Sequence, residues 1–214
     1  VWEEELLKAI SFSGEHISAY QLTIEKGTLF NQQFKNKIFK LPSEEILLNL
    51  YTLTEEILNK NNFIKYEVSN FSKNNAISVH NTNIWKGHQY FGFGPGAHGR
   101  TIINNKWHAT QRYPSPSVWL DKTSNYNNSF LKYENITGIQ RAKEILLTGL
   151  RLTNGIKLSE IKKLCNINNF ENIIDKNYSK TLIKENFIKI NNNLISVTKK
   201  GFPVLNSIIK KLII

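Results

Sequence analysis

Four of the five histidines, His80, His88, His98 and His108, fall in one stretch of the chain. Neutral imidazole is the commonest protein ligand for transition metals, so the clustering raises metal chemistry first. No cysteine and no pair of histidines one helical turn apart accompanies them, which argues against a zinc site. The neighbours are Trp85, Tyr90, Phe91 and Phe93. Aromatic walls beside a single imidazole suit a flat macrocycle whose iron takes one axial ligand. The competing reading, a hydrogen-bonded packing residue, is preferred for His88 and His108.

The same stretch carries Phe91-Gly92-Phe93-Gly94-Pro95-Gly96-Ala97-His98-Gly99. Gly94, Gly96 and Gly99 satisfy G-x-G-x-x-G literally. A dinucleotide fingerprint must open a helix whose N-terminus holds the pyrophosphate. Here Arg100-Thr101-Ile102-Ile103 follows, which is strand-like, so the dinucleotide reading is rejected. Two readings stay open: close approach of the backbone to a flat or phosphate-bearing ligand, and a tight turn beneath aromatic rings. Two acids complete the set. Glu25 and Glu67 sit near the C-terminal ends of two expected strands, where α/β sheets bind ligands; a salt bridge or a helix cap explains each equally well.

The elements that must position these residues follow from local pattern. Glu5–Ser11 reads as the end of a helix, and His16–Ile24 as a strand closed by Glu25-Lys26-Gly27-Thr28. Pro42-Ser43-Glu44-Glu45 starts a helix, with Ser43 as N-cap and acids in the first turn. Ile46, Leu50, Leu53 and Ile57 continue it at helical spacing, Asn61-Asn62 closes it, and Ile64–Ser69 is a second strand. Strand, helix, strand is a βαβ unit, which implies parallel pairing. Residues 70–116 read as a long irregular region, with a small hairpin turning at Asn104-Asn105. From Ile136 the chain reads as a helix to Gly149, short helices near Ser159 and Phe170, strands 187–190 and 194–197 around Asn191-Asn192-Asn193, and a last helix after Gly201. Helices followed by a hairpin fit a winged helix, with a boundary in the polar stretch Ser124–Tyr133.

Composition narrows the classes. The 214 residues are 40% hydrophobic and 11% aromatic, enough for one sizeable core or two small ones. No apolar run is long enough for a membrane span and no signal peptide is visible, so the expected setting is cytoplasmic. Cys165 is the only cysteine, which excludes a disulfide framework and an intrachain iron–sulfur site. The chain has no Met and opens at Val1 in what reads as the middle of an element, as a fragment would; removal of an initiator Met before Val would look the same. The net charge is +11. It invites a nucleic-acid or anionic partner, but Lys, Asn and Ile are abundant throughout and Arg is scarce, so it reads mainly as a compositional background.

Taken in order, HISAYQLTIEKGTLF, YEVSNFS, HNTNIWKGHQYFGFGPGAHGR and EILLTGLRLTNGI resemble the second half of the HemW heme-chaperone family, the radical S-adenosylmethionine relatives of oxygen-independent coproporphyrinogen III oxidase. The resemblance runs from about Trp2 to Leu152, with a weaker match in the tail. It implies an α/β fold: part of a radical-SAM, TIM-like barrel (the βαβ unit and the long loop region) over residues 1–123, then a small α+β winged-helix-like domain over 134–214. The family's HN-x-x-YW motif falls on His80, Asn81 and Trp85, and implies that these bind heme, with His80 on the iron. Ile84 stands where the family usually has Tyr, which keeps an apolar wall and loses a hydroxyl. By the same resemblance Thr23, Glu25, Glu67, Thr82, Asn83, Gly94, Gly96, Ala97 and His98 lie around the S-adenosylmethionine and porphyrin sites.

The family's C-x-x-x-C-x-x-C motif, which holds its [4Fe–4S] cluster, lies upstream of the matching region. One cysteine cannot bind that cluster, so no catalytic residue is assigned and S-adenosylmethionine cleavage is not expected of this chain alone. The leading function is heme handling, with heme as ligand, heme-accepting proteins downstream, and a separately encoded N-terminal half as a candidate partner. The alternatives are a coproporphyrinogen III oxidase in the full-length parent, and a winged-helix nucleic-acid-binding module.

Overall fold

The computed structural model describes residues 1–214, which form two units that divide between Ile77 and Ser78. In the first, helix α1 (Trp2–Phe12) precedes strand β1 (His16–Ser18), helix α2 (Leu29–Lys35), helix α3 (Glu44–Lys60) and strands β2 (Ile64–Lys65) and β3 (Asn70–Ser72). Helix α3 starts where its capping residues require: Ser43 Oγ accepts from the Ile46 N–H at 3.3 Å, with Glu44 and Glu45 in the first turn. Thr54, Ile57 and Leu58 give it one buried face. That face joins Leu6 of α1 with Phe63 and Phe71 in the core of this unit.

The expected parallel pairing of two strands does not occur. The sheet order is β1-β3-β2, and β3 runs antiparallel to both neighbours, with Ile17 opposite Phe71 and Lys65 opposite Phe71. The two outer strands keep the common direction of a βαβ unit, but the chain turns at Tyr66–Ser69 and lays β3 between them. The strand expected over His16–Ile24 stops at Ser18. Beyond Ala19, whose N–H donates to Ser69 O at 2.8 Å, the backbone meets no further strand.

The second unit holds helix α4 (Val79–Trp85), strands β4 (His98–Ile103), β5 (Lys106–Arg112) and β6 (Phe130–Ile136), and helix α5 (Pro116–Tyr126). Helix α6 (Gly138–Gly149), strand β7 (Ile156–Lys157), helices α7 (Leu158–Cys165) and α8 (Lys176–Lys184), strands β8 (Ile188–Asn191) and β9 (Leu194–Val197), a short 3₁₀ turn and helix α9 (Leu205–Leu212) follow. Two antiparallel sheets result, β4-β5-β6 and β7-β9-β8. Both hairpin turns are Asn-Asn pairs. Asn104 and Asn105 have φ of 50° and 58°, and Asn192 and Asn193 have 47° and 69°. Asparagine tolerates that left-handed region, and two such residues match the twist of a two-residue hairpin.

The region 70–116 is therefore not irregular; it contains β3, α4, β4 and β5. Nor does the polar stretch Ser124–Tyr133 separate two bodies, because it ends α5 and begins β6, which pairs in register with β5 from Phe130 to Ile136. The helix expected near Phe170 begins at Lys176, where Asp175 Oδ1 accepts from the Tyr178 N–H at 2.8 Å and supplies the cap. No helix is long and apolar enough to cross a membrane.

Phe63 is fully buried in the first unit's core. Phe63→Ala should cost about 3–5 kcal/mol by the loss of burial and the cavity left behind, read as a lower urea midpoint in equilibrium unfolding.

Candidate functional site

Three arginines organise the glycine-rich segment between α4 and β4, and each donates to the carbonyl of a glycine. Arg141 Nη2 reaches Gly87 O at 2.9 Å, Arg112 Nε reaches Gly92 O at 3.3 Å, and Arg100 Nη1 reaches Gly99 O at 2.9 Å. The glycines are needed for local reasons. Gly87 has φ of 84°, and a Cβ there would run into Ile145 of α6; a Cβ on Gly99 would stand 2.6 Å from Thr110 Oγ1. Gly94 and Gly96 have φ of 90° and 71°, a region open to glycine and costly to most side chains. Of the two readings of this segment, the tight turn accounts for these glycines without a ligand.

Glu144 of α6 ties two of the arginines together. Its carboxylate takes a forked pair of bonds from Arg100, Nε at 2.9 Å and Nη2 at 2.8 Å, and a third from Arg141 Nη1 at 2.9 Å. Arg141 is buried and lies over the Trp107 ring at 4.7 Å, while the indole N–H donates to Leu164 O at 2.9 Å. Burial acts to raise the Glu144 carboxyl, but the bonds from Arg100 and Arg141 outweigh it and hold the group below the ordinary carboxylate value. The Thr148 hydroxyl, one turn further along α6, donates to Trp85 O at 3.1 Å and fixes the end of α4.

Helix α4 carries the histidine motif. Ser78 caps it, with Oγ accepting from the Asn81 N–H at 3.3 Å. His80 is solvent-exposed in its first turn, beside Val79 at 68% exposure. Asn81 and Trp85 are half-buried, Asn83 is exposed, and the buried Thr82 hydroxyl has no hydrogen-bond partner. Past α4, Phe91 and Phe93 project at 68% and 84% exposure, and His98 opens β4 with its side chain exposed. Ala97 is held by its carbonyl, which accepts from the Arg112 N–H at 2.9 Å. His88 is exposed as well, whereas His108 is buried, Nδ1 lying 2.9 Å from Lys106 O with the ring 4.9 Å from Tyr133.

Thr23, Glu25 and Glu67 belong to the first unit. Thr23 and Glu25 are exposed, and Glu25 contributes its carbonyl to the Thr28 hydroxyl at 2.7 Å. Glu67 is fully buried, and its Oε1 accepts from the Ser69 N–H at 2.5 Å and from Asn70 Nδ2 at 2.6 Å. Asn70 in turn accepts from the Ser18 hydroxyl at 2.6 Å. Glu67 thus fastens the β2–β3 turn to β1, a role different from the helix cap weighed for it from sequence.

No three of the His, Cys, Asp and Glu side chains converge as a metal cage. What the chain offers a metal is single, exposed imidazoles. One imidazole holds a bare ion weakly, but it suffices as the axial ligand of an iron already held by a macrocycle. The arginine–glutamate network was not found by sequence reasoning. Its signal was available: in a chain with 28 Lys and Arg, only Arg100, Arg112, Arg141 and Arg151 are arginines, and Arg is the cation suited to forked bonding of a carboxylate and a carbonyl together.

Residues 136–204 match the HemN C-terminal domain family. The chain is 35% identical over 159 residues to radical S-adenosyl methionine domain-containing protein 1, mitochondrial, of Danio rerio, covering 72% of this chain and 36% of that protein. It is 30% identical to heme chaperone HemW of Buchnera aphidicola subsp. Schizaphis graminum, covering 96% of this chain and 52% of the relative. The solved structure of coproporphyrinogen III oxidase (HemN) from Escherichia coli, a radical SAM enzyme, superimposes over 96% of this chain and 49% of its own with a TM-score of 0.72 at 15% identity. The fold is thus the α/β fold of the C-terminal part of a HemN-type protein. Within that class, the chain matches the C-terminal portion of the family that contains HemN and the heme chaperone HemW. It spans about half the length, or less, of the curated relatives it matches.

Glu144→Gln leaves the buried Arg141 without its carboxylate. A fully buried broken pair costs about 3–5 kcal/mol, and partial exposure of Glu144 reduces the expected loss to about 1–3 kcal/mol. The sign with pH follows from the lowered carboxyl: its contribution is present above the ordinary carboxylate range and is lost as pH falls through the depressed folded value. Melting temperatures of the parent and Glu144→Gln should therefore differ most at about pH 7, and the difference should shrink as pH falls below the ordinary carboxylate range and vanish only below the depressed folded value.

Proposed function

We propose that this chain is the heme-handling C-terminal portion of a HemW-type protein, with His80 as axial ligand to heme iron and Trp85, Asn81 and the Phe91–His98 loop beside the macrocycle. The observation that carries the reading is the exposure of His80 in the first turn of α4, where an imidazole free of buried packing is available to a large ligand. The exposed Phe91 and Phe93 supply apolar surface in the same unit, and relatives over most of the chain are heme chaperones. Thr23 and Glu25 are read as barrel-mouth residues in the first unit, and α6 to β9 as a winged helix, whose element order they share. The setting is read as cytoplasmic.

The thiolate set of a [4Fe–4S] cluster does not fit this chain. Cys165 is its only cysteine and is buried; burial, with Arg141 opposing and Glu144 adding to it, pushes its thiol up to about 11. Cluster and S-adenosylmethionine chemistry are therefore assigned outside these 214 residues, and no step is derived through them. Transfer of heme to an acceptor needs from this chain only a reversible bond at one imidazole and an open apolar face, both of which are accessible.

The purified chain titrated with ferric heme should bind about one equivalent with a shifted Soret band; His80→Ala should abolish or move that band, and His98→Ala should leave it in place. An unchanged spectrum in His80→Ala removes His80 from the reading.

A second reading, nucleic-acid binding, has one observation in its favour. Residues 137–214 hold 14 Lys and Arg against 5 Asp and Glu, and Lys176, Lys180 and Lys184 are exposed at one-turn intervals on α8. Against it, Lys176 is paired with Glu171 at 2.6 Å and Arg141 is committed to Glu144. Gel retardation should show only weak association that disappears at about 0.15 M salt.

A further inference from the structure

The second unit has a groove of about 1000 Å³ that none of the residues considered above explains. One wall comes from the β4–β5 turn, another from the junction of β6 with α6, and the third from the end of α7 and the segment that follows it. Its size lies at the upper end of small-molecule sites, which run to about 1,000 Å³. The lining divides cleanly by chemistry. Trp107, Ile139 and Ile173 are among the apolar residues, six asparagines supply amides, Lys106 and Lys163 supply ammonium groups, and no Asp or Glu is present. The indole of Trp107 is fixed by its bond to Leu164 O at 2.9 Å, so that wall is preorganised.

This division selects the ligand. A small inorganic anion would satisfy the lysines and leave the exposed isoleucine surface of Ile102 and Ile139 wet. A neutral hydrocarbon would cover that surface and strip water from amides and ammonium groups without replacing their hydrogen bonds, which costs free energy for each group left unpaired. A molecule with an apolar ring body and carboxylates at its edge satisfies both halves. Lys106 and Lys163 are exposed on long flexible stems, so their charges can follow carboxylates of differing position. The absence of acids from the lining and the excess of Lys and Arg over residues 137–214 give the groove a potential of matching sign.

We propose that this groove is a binding site for amphipathic organic acids, ring systems that carry carboxylates, held by Lys106 and Lys163 and by the asparagine amides. It is separate from His80 in its residues and needs no metal in the ligand.

Metal-free protoporphyrin IX, a dicarboxylate, and its neutral dimethyl ester are suitable probes, followed by porphyrin fluorescence on the whole chain. Protoporphyrin IX should bind the parent and His80→Ala equally, and the ester at least about tenfold more weakly. The double variant Lys106→Glu/Lys163→Glu should lose at least about tenfold in affinity for the acid. The double variant Lys189→Glu/Lys199→Glu, at exposed positions outside the groove, carries the same change in net charge and should change little; circular dichroism checks that all variants fold. Equal binding of acid and ester, equal losses in Lys189→Glu/Lys199→Glu and the groove variant, or loss in His80→Ala alone would each overturn the proposal. Because the probe has no iron, these outcomes are independent of whether His80 ligates heme.

Discussion

Much of the second unit depends on Glu144 being held between Arg100 and Arg141. The glycine-rich segment has little regular hydrogen bonding of its own: the Tyr90–Arg100 bridge and the contacts of Gly96 and Ala97 with Tyr113 and Arg112 are its main backbone ties. Its other anchors are the guanidinium bonds to Gly87, Gly92 and Gly99 and the Gln89 amide oxygen, which accepts from the Ile102 N–H at 2.7 Å. Two of those guanidinium groups would be poorly compensated without an acid, and Arg141 is buried. Glu144 supplies that acid from a helix with a capping box at its start, Thr137 and Gln140 satisfying one another's backbone N–H groups. A rigid helix thus sets the place of a loop whose glycines could otherwise adopt many paths.

The same network explains why the chain does not divide where its composition suggests. Helix α6 lies within the region matching the HemN C-terminal domain, yet it grips residues well upstream: Gly87 through Arg141, Trp85 through Thr148, and Arg100 through Glu144. Ile145 packs where a Cβ of Gly87 would stand. The histidine helix and the aromatic loop are therefore built onto the C-terminal region. A polar stretch such as Ser124–Tyr133 looks like a linker by composition, but the pairing of β6 with β5 carries the structure through it.

Local rules read well in this sequence and long-range pairing did not. Ser43, Asn104-Asn105 and Asn192-Asn193 did what capping and turn chemistry require, because those signals act within four residues. The order of α6 to α9 followed from hydrophobic spacing for the same reason. The position of β3 was not legible: Asn70-Phe71-Ser72 has one apolar residue, and what seats it is the distant pairing with His16–Ser18 and the buried Glu67–Asn70–Ser18 chain of hydrogen bonds. At the candidate site, packing is the preferred sequence reading for both His88 and His108, yet only His108 is buried and His88 is exposed like His80 and His98. All four sit near aromatic residues in the sequence, and the pairing of β5 with its neighbours is what buries His108.

Cations are divided between two tasks in this chain, and the division bears on what the surface can bind. Arg100, Arg112 and Arg141 are turned inward, each donating from more than one nitrogen to oxygens of the protein itself. Only a planar, multi-donor group does this while staying charged under partial burial. Most lysines of the C-terminal region face solvent, where a single hydrated ammonium on a flexible stem gains little from a fixed partner. Its excess of 14 basic over 5 acidic residues therefore consists largely of charges the fold does not consume. A background of lysine spread evenly would leave no such asymmetry, since residues 1–136 hold 14 basic and 12 acidic residues. Unconsumed positive charge beside a groove without acids is a field directed outward, and it favours anionic ligands before any contact is made.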